Sequence, residues 1–408
     1  MKKKWMLVVV ICVAMVLAAC GDETSAGEGS EEIKIGTVFP LTGSLALLGG
    51  ESFRGVELAV KEVNANGGID GKQVKLVNSD AVDADAAQSE ATRLINKEGI
   101  NLLVGSFSSG ISYAASEVAE RNGAQYWELG AVADNVTDRN YQSIIRVNPP
   151  ASYFSVTHIN FIKNVVAEQI GKELKDIKVA ITHEDSAYGT TIAKEAEKLA
   201  KEEGIDIVTT QSYSSTSNDL SSVILNLKKA QPDLVIAVSY INDAILLSKQ
   251  SEELGYKIPI LVGSGGGHTL TDYQKSVGDL ANGVFNIDFP QYEINTDFTP
   301  GLEEFMKLYE EQYGEKPQSG HSLSNYMGMK VMIQAIDDAG SVDVEKVREA
   351  AMNIKIEKGT TATGWGVEFD SESGQNTAGE AYLTQWIDGE LLTVWPEEVS
   401  IHEPVFKK

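Results

Sequence analysis

The chain has 408 residues, with 34 basic against 59 acidic side chains and a formal net charge of −25. Such an excess of carboxylates excludes a nucleic-acid partner and charge-driven adhesion to an anionic membrane surface. The length exceeds what one hydrophobic core usually serves, so two domains are expected.

The amino terminus comes first. Lys2, Lys3 and Lys4 precede the apolar run Trp5–Leu17 and the small residues Ala18 and Ala19. These zones read as a secretory signal peptide over 1–19, too short to span a bilayer comfortably. Leu17-Ala18-Ala19-Cys20 resembles the lipobox of bacterial lipoproteins. That resemblance implies cleavage before Cys20 and its diacylation, an anchor of two chains in the lipid bilayer. Cys12 leaves with the signal, so the mature fold is expected to have no disulfide and no thiolate chemistry. Residues 20–32 continue with only Gly, Asp, Glu, Thr, Ser and Ala after the cysteine and read as a flexible tether.

From Ile33 onward the pattern alternates strand and helix. Strands are predicted at Ile33–Phe39, Gln73–Asn78, Leu102–Val104 and Gln125–Leu129, with helices at Glu51–Asn64 and Ala84–Lys97. Pro40-Leu41-Thr42-Gly43 and Asn66-Gly67-Gly68 are turns. Gly105–Gly110 is a small-residue turn that opens a helix, because Ile111, Ala114, Ala115 and Val118 share a face. The first turn of such a helix carries free N–H groups and the positive end of the dipole. Ser108 and Ser109 stand there, to cap the helix or to hold a ligand carboxylate.

The pattern restarts after Pro149-Pro150. Helices are predicted at Tyr153–Gly171, Thr190–Glu203, Asp219–Lys229 and Ala244–Leu254, alternating with strands at Ile177–Thr182, Ile205–Gln211, Leu234–Val238 and Ile258–Val262. A strand at Gly283–Asp288 then leads to helices at Leu302–Tyr313 and Ser324–Ala339. Short strands at Gly366–Phe369, Ala381–Ile387 and Leu391–Val394 end the chain, the last two joined by Asp388-Gly389. The fold class is therefore α/β, two Rossmann-like lobes with parallel sheets flanked by helices. A cleft between such lobes is a common ligand site.

Enzyme motifs are missing. There is no Walker loop and no Gly-x-Ser-x-Gly elbow, and Gly263-Ser264-Gly265-Gly266-Gly267 does not fit a dinucleotide fingerprint. That run reads as a turn letting backbone approach a ligand or the other lobe. The histidines, His158, His183, His268, His321 and His402, show no paired metal spacing and read as surface or structural residues. No cofactor and no metal are expected.

The lipobox, the acidic tether, Ile33-Lys34-Ile35-Gly36 and Pro40-Leu41-Thr42-Gly43 together resemble the substrate-binding lipoproteins of ABC importers. The nearest group is the branched-chain amino-acid binding family of the type I periplasmic-binding fold. Asn64-Ala65-Asn66-Gly67-Gly68-Ile69, Tyr188-Gly189 and Gly263 add to the likeness, which covers nearly all of the mature chain. It implies a monomer of two lobes joined by three crossovers, lobe one over 33–148 plus 291–363 and lobe two over 149–290 plus 364–401. It implies a partner permease and a small-molecule ligand held by the closing lobes.

The resemblance also distributes roles. The carboxylate-binding serine falls on Ser109, beside Ser108. Gly130 and Ala131 fall where backbone groups meet the ligand, and Val132 stands where a threonine hydroxyl is lost. Tyr188 and Tyr240 fall at the closing lobe's aromatic positions, and Leu48 where relatives place an aromatic. The acid for a ligand ammonium would fall at Gly265, a departure. Glu128 is the substitute the sequence offers, as counter-charge or polar acceptor; its other reading is a salt bridge to Arg146 or Arg139. The expected function is capture of an amino-acid-like solute for an ABC importer. The alternatives are a sensor of the same fold, a binder of an amide, aromatic acid or nucleoside, and a surface hydrolase, for which no nucleophile–base pair can be assembled.

Overall fold

A computed structural model describes residues 32–406. Cys20, the signal peptide and the tether up to residue 31 lie outside the described residues, and so do the expectations placed on them. Among the described residues no helix is long and apolar enough to cross a membrane.

Two sheets organise the chain. The first contains β1 (Ile33–Phe39), β2 (Val74–Asp80), β3 (Leu102–Gly105), β4 (Gln125–Glu128) and β5 (Ile144–Arg146), in the order β2-β1-β3-β4-β5. All neighbours run parallel. The second contains β6 (Lys178–Glu184), β7 (Asp206–Tyr213), β8 (Leu234–Val238), β9 (Leu261–Ser264) and β10 (Phe285–Asp288) as its parallel part. Two late strands, at Tyr382–Ile387 and Glu390–Trp395, add an antiparallel edge beyond β10. Their hairpin turns at Asp388 and Gly389, both with positive φ, as a two-residue loop matched to strand twist requires. The α/β class with parallel sheets and flanking helices is as expected.

Each sheet carries helices on both faces because its strands are apolar on both sides. Against the first sheet, α1 (Ala46–Ala65) packs on one face and α2 (Ala84–Asn96) and α3 (Ser109–Asn122) pack on the other, giving two separate apolar clusters. Against the second, α4 (Ala151–Phe161) and α5 (Ala187–Glu202) cover one face; α6 (Ser221–Ala230) and α7 (Ile241–Glu253) cover the other. Then α8 (Leu302–Tyr313) and α9 (Gly320–Ala339) return to the first lobe, where Phe305, Tyr309 and Met329 join the α1 cluster.

The sequence reading lacked β5 and a helix at Val344–Met352, and three further differences bear on the site. The α1 helix begins at Ala46, not Glu51. Gly49-Gly50 looks like a break, but a Cβ at Gly49 would collide with the Pro40 carbonyl; the glycine permits close packing of helix on turn. The α9 helix begins at Gly320, not Ser324, because the Ser319 hydroxyl caps it by accepting from His321 N–H. The third concerns the last crossover. The strip around Gly374–Asn376 stays on the first sheet, with Arg146 N–H donating to Gly374 C=O at 2.9 Å and Asn376 N–H donating to Arg146 C=O at 2.9 Å. The chain therefore passes to the second sheet after Asn376, later than the expected boundary at 364.

Candidate functional site

The carboxyl ends of β3, β4, β6, β8, β9 and β10 face one another across the gap between the sheets, where small ligands bind in open α/β folds. A cavity lies there, lined by Leu48, Phe107, Gly130, Val132 and His321 from the first lobe. Phe154, Tyr188, Tyr240, Gly265, Asp288 and Phe289 line it from the second. The lobes are nearly shut, leaving a cavity of about 20 Å³, room for about one water. A larger groove of about 530 Å³ opens at the other edge of the second sheet, around Tyr256, Ile260 and Phe406. One lobe alone forms it, at the strand ends where such sheets do not bind ligands, so the interlobe cavity is the candidate site.

Of the residues the sequence singled out, Leu48, Gly130, Tyr188, Tyr240 and Gly265 line this cavity. Ser108 is the N-cap residue of α3 and makes no capping bond with its side chain. Its hydroxyl instead faces the Tyr240 hydroxyl, as does that of Ser186. Ser109 is buried behind it, its Oγ accepting from Ala133 N–H at 3.2 Å. Its O–H hydrogen has no acceptor among the described residues.

The loop after β4 is held from several sides. Glu128 is fully buried, and its Oε1 accepts from Gly130 N–H at 2.8 Å and Ala131 N–H at 2.5 Å. Burial pushes its carboxyl up to about 8. Arg146, also fully buried, donates to Ala133 C=O at 2.7 Å and Thr137 Oγ1 at 2.9 Å, and its Nε donates to Gln375 Oε1. Asn148 donates to Ala131 C=O at 3.0 Å. Glu128 thus shapes the loop; it does not line the cavity, and no salt bridge to Arg146 or Arg139 forms among the described residues. The N–H groups of Gly130 and Ala131 belong to Glu128, so they are not the ones offered to a ligand. Gly130 C=O and Val132 N–H take no bond from another protein group among the described residues.

In the second lobe, Glu184 builds the start of α5. Its carboxylate accepts from Ser186 N–H at 2.8 Å and Gly189 N–H at 2.7 Å, which sets Tyr188 over the cleft. The Tyr188 hydroxyl donates to Ser264 C=O, and its ring lies 5.2 Å from that of Tyr240. Phe107 meets Tyr240 edge-on at 6.4 Å, and Phe289 meets His321 at 5.0 Å. The glycine run does bring backbone to the other lobe. A Cβ at Gly266 would press on Leu48 at 2.9 Å and His321 at 3.2 Å.

Five lining residues escaped the sequence reading: the aromatic Phe107, Phe154 and Phe289, and the polar His321 and Asp288. His321 was expected on the surface or in a structural role; it lies in the first turn of α9 at the cavity, and burial holds its ring neutral, down to about 4. Asp288 ends β10 and is buried in the lining, its carboxyl pushed up to about 7 by burial. The signal for it was present, since an acid at the carboxyl end of a predicted parallel strand is where ligands are met.

Comparisons with known proteins agree with this outline. A family model described as periplasmic binding protein matches residues 32–390. The Leu/Ile/Val-binding protein homolog 7 of Brucella suis is 44% identical over 379 residues, 93% of this chain and 95% of that protein. Homolog 8 of Brucella abortus is 43% identical over 378 residues, 92% and 94% of the two chains. Among solved structures, the branched-chain amino acid transporter substrate binding protein LivJ from Streptococcus pneumoniae, in complex with isoleucine, superposes with a TM-score of 0.76. It is 24% identical, over 92% of this chain and 100% of that one. A solute binding protein of an ABC transporter from Rhodopseudomonas palustris, in complex with 3,4-dihydroxybenzoic acid, superposes with a TM-score of 0.73. It is 21% identical, over 92% and 98%.

Proposed function

The chain belongs to the periplasmic binding protein family, and from that premise we propose that it captures leucine, isoleucine or valine between its lobes and delivers the solute to an ABC importer. Members of this family bind and do not catalyse, and the chain is not an enzyme. The observation that carries the proposal is the composition of the interlobe cavity. Leu48, Phe107, Val132, Phe154 and Phe289 give it an apolar wall suited to an aliphatic side chain. The uncapped start of α3, with Ser108, Ser109 and the nearby Val132 N–H, gives it neutral donors for a carboxylate.

Capture works by a shift between open and closed lobes. The nearly shut lobes leave too little space for an amino acid, so they part to load it and close over it to a slightly wider form. Only a ligand that binds the closed form more tightly drives that shift. The closed outline is then what a permease reads. We place the anchor at Cys20, through which the body is held to the outer face of the membrane; Cys20→Ala then moves the protein from the membrane fraction to the soluble one.

The aromatic wall and the Rhodopseudomonas structure favour one second reading, an aromatic acid as solute. A thermal-shift panel of Leu, Ile, Val, benzoate and 3,4-dihydroxybenzoate separates the two, after partial unfolding and refolding to strip carried-over ligand. A ligand at a hundred times its Kd stabilises the fold by about 2.7 kcal/mol. A shift with benzoates and none with the three amino acids overturns the first reading.

A further inference from the structure

An amino acid brings an ammonium group as well as a carboxylate, and a buried ammonium without a carboxylate partner is costly. The resemblance put that carboxylate at 265, where this chain has glycine. The structure gives a steric reason. Gly265 has a φ of +67°, and its missing Cβ would overlap the Tyr188 hydroxyl. No acidic side chain fits there while Tyr188 reaches Ser264. Glu128, the substitute read from sequence, is turned into its own loop.

Among the described residues Asp288 is the one acid in the cavity lining, and no lysine or arginine lines it. It is 1% exposed. Oδ1 accepts from Phe289 N–H at 2.8 Å and Oδ2 accepts from the Thr269 hydroxyl at 3.0 Å. Two bonds fix the carboxylate, and each oxygen keeps a further lone-pair direction. Among the described residues no cation acts on it, and burial outweighs those two bonds in setting its proton affinity. Its charge reaches the phenols of Tyr188 and Tyr292. Glu184 and Asp243 add negative potential at Tyr188 from β6 and α7. The second lobe therefore presents an acidic, base-free wall opposite the donors of α3.

We propose that Asp288 accepts the ligand's ammonium group, in place of an acid at position 265. The inference rests on an amino acid being the solute and adds the polarity of the bound ligand: carboxylate toward Ser108 and Ser109, ammonium toward Asp288. It also makes Asp288 the residue that selects amino acids over acids lacking the amine.

The test is calorimetric titration of wild type and Asp288→Asn with L-leucine and with its isostere in which a hydroxyl replaces the ammonium. Wild type is expected to prefer leucine at least tenfold, and Asp288→Asn to lose most of that preference while still binding the hydroxy acid. Leucine binding with the preference intact in Asp288→Asn overturns the inference and leaves the amino-acid function standing. Failure of wild type to bind Leu, Ile or Val while binding benzoate overturns both. Should Asp288→Asn not fold, wild type still decides: equal affinity for leucine and the hydroxy acid overturns the proposal.

Discussion

The Tyr188 hydroxyl occupies the volume into which a side chain at Gly265 would project. The two residues are alternatives, a tyrosine reaching the Ser264 carbonyl or a side chain on the following residue. Restoring an acid by Gly265→Glu is therefore expected to harm the site. The left-handed backbone alone costs about 1–3 kcal/mol for a residue with a Cβ, and the overlap adds to it. Denaturant melts of Gly265→Glu should show that loss, with leucine affinity falling too. A gain in affinity would show that Tyr188 swings aside to admit the acid.

Gly266 sits where the lobes touch, against Leu48 and His321. Its would-be Cβ meets atoms of the other lobe and nothing in its own that is nearer. Gly266→Ala should therefore leave the stability of the open form within about 0.5 kcal/mol of wild type and obstruct closure. The expected result is a Kd raised at least tenfold, with the ligand-induced decrease in radius of gyration by X-ray scattering lost or reduced. Normal compaction with ligand would show that Leu48 moves out of the way.

Ser109 links the start of α3 to the loop after β4 through Ala133 N–H. Ser109→Ala removes the acceptor and leaves a buried N–H without a partner, a cost of about 1–3 kcal/mol in stability. If the hydroxyl also donates to the ligand carboxylate, affinity falls as well. The two effects are read separately, by denaturant melts without ligand and by titration. Full affinity with reduced stability would assign Ser109 to the scaffold and leave the carboxylate to Ser108 and the helix N–H groups.

The alternation of strands and helices was legible because each segment carries its own period and its own turn residues. Leu302–Tyr313 is found where the pattern put it. What stayed hidden depends on residues far apart in sequence. Arg146 and Gln375 meet across 229 positions, and neither announces a partner. The start of α9 was missed with the cap at Ser319, and His321 was missed with it. The serines at 108 and 109 were visible as a helix start; which of them turns to Tyr240 and which to Ala133 is decided by packing. Asp288 was within reach, since its strand was read correctly and only its last residue went unused.

Glu128 is the sharpest case for pH. Burial lifts its carboxyl from the ordinary 4.5 up to about 8, against the pull of the two N–H bonds, the Ser112 hydroxyl and Arg146. Between those values the folded protein holds a proton on Glu128 that the unfolded chain has released. Stability from this group therefore falls as pH rises from about 4.5 to about 8. Glu128→Gln keeps an oxygen for Gly130 and Ala131 N–H and has nothing to ionise. The buried histidines are common to both proteins and cancel in the difference. The stability of Glu128→Gln relative to wild type should thus climb with pH, by at most about 1.4 kcal/mol per unit, and level off above about 8. Denaturant midpoints at pH 5, 6.5 and 8 measure it. A variant that loses ground as pH rises would mean that Glu128 is ionised in the folded protein and paired with Arg146, its strand neighbour in the β4–β5 register.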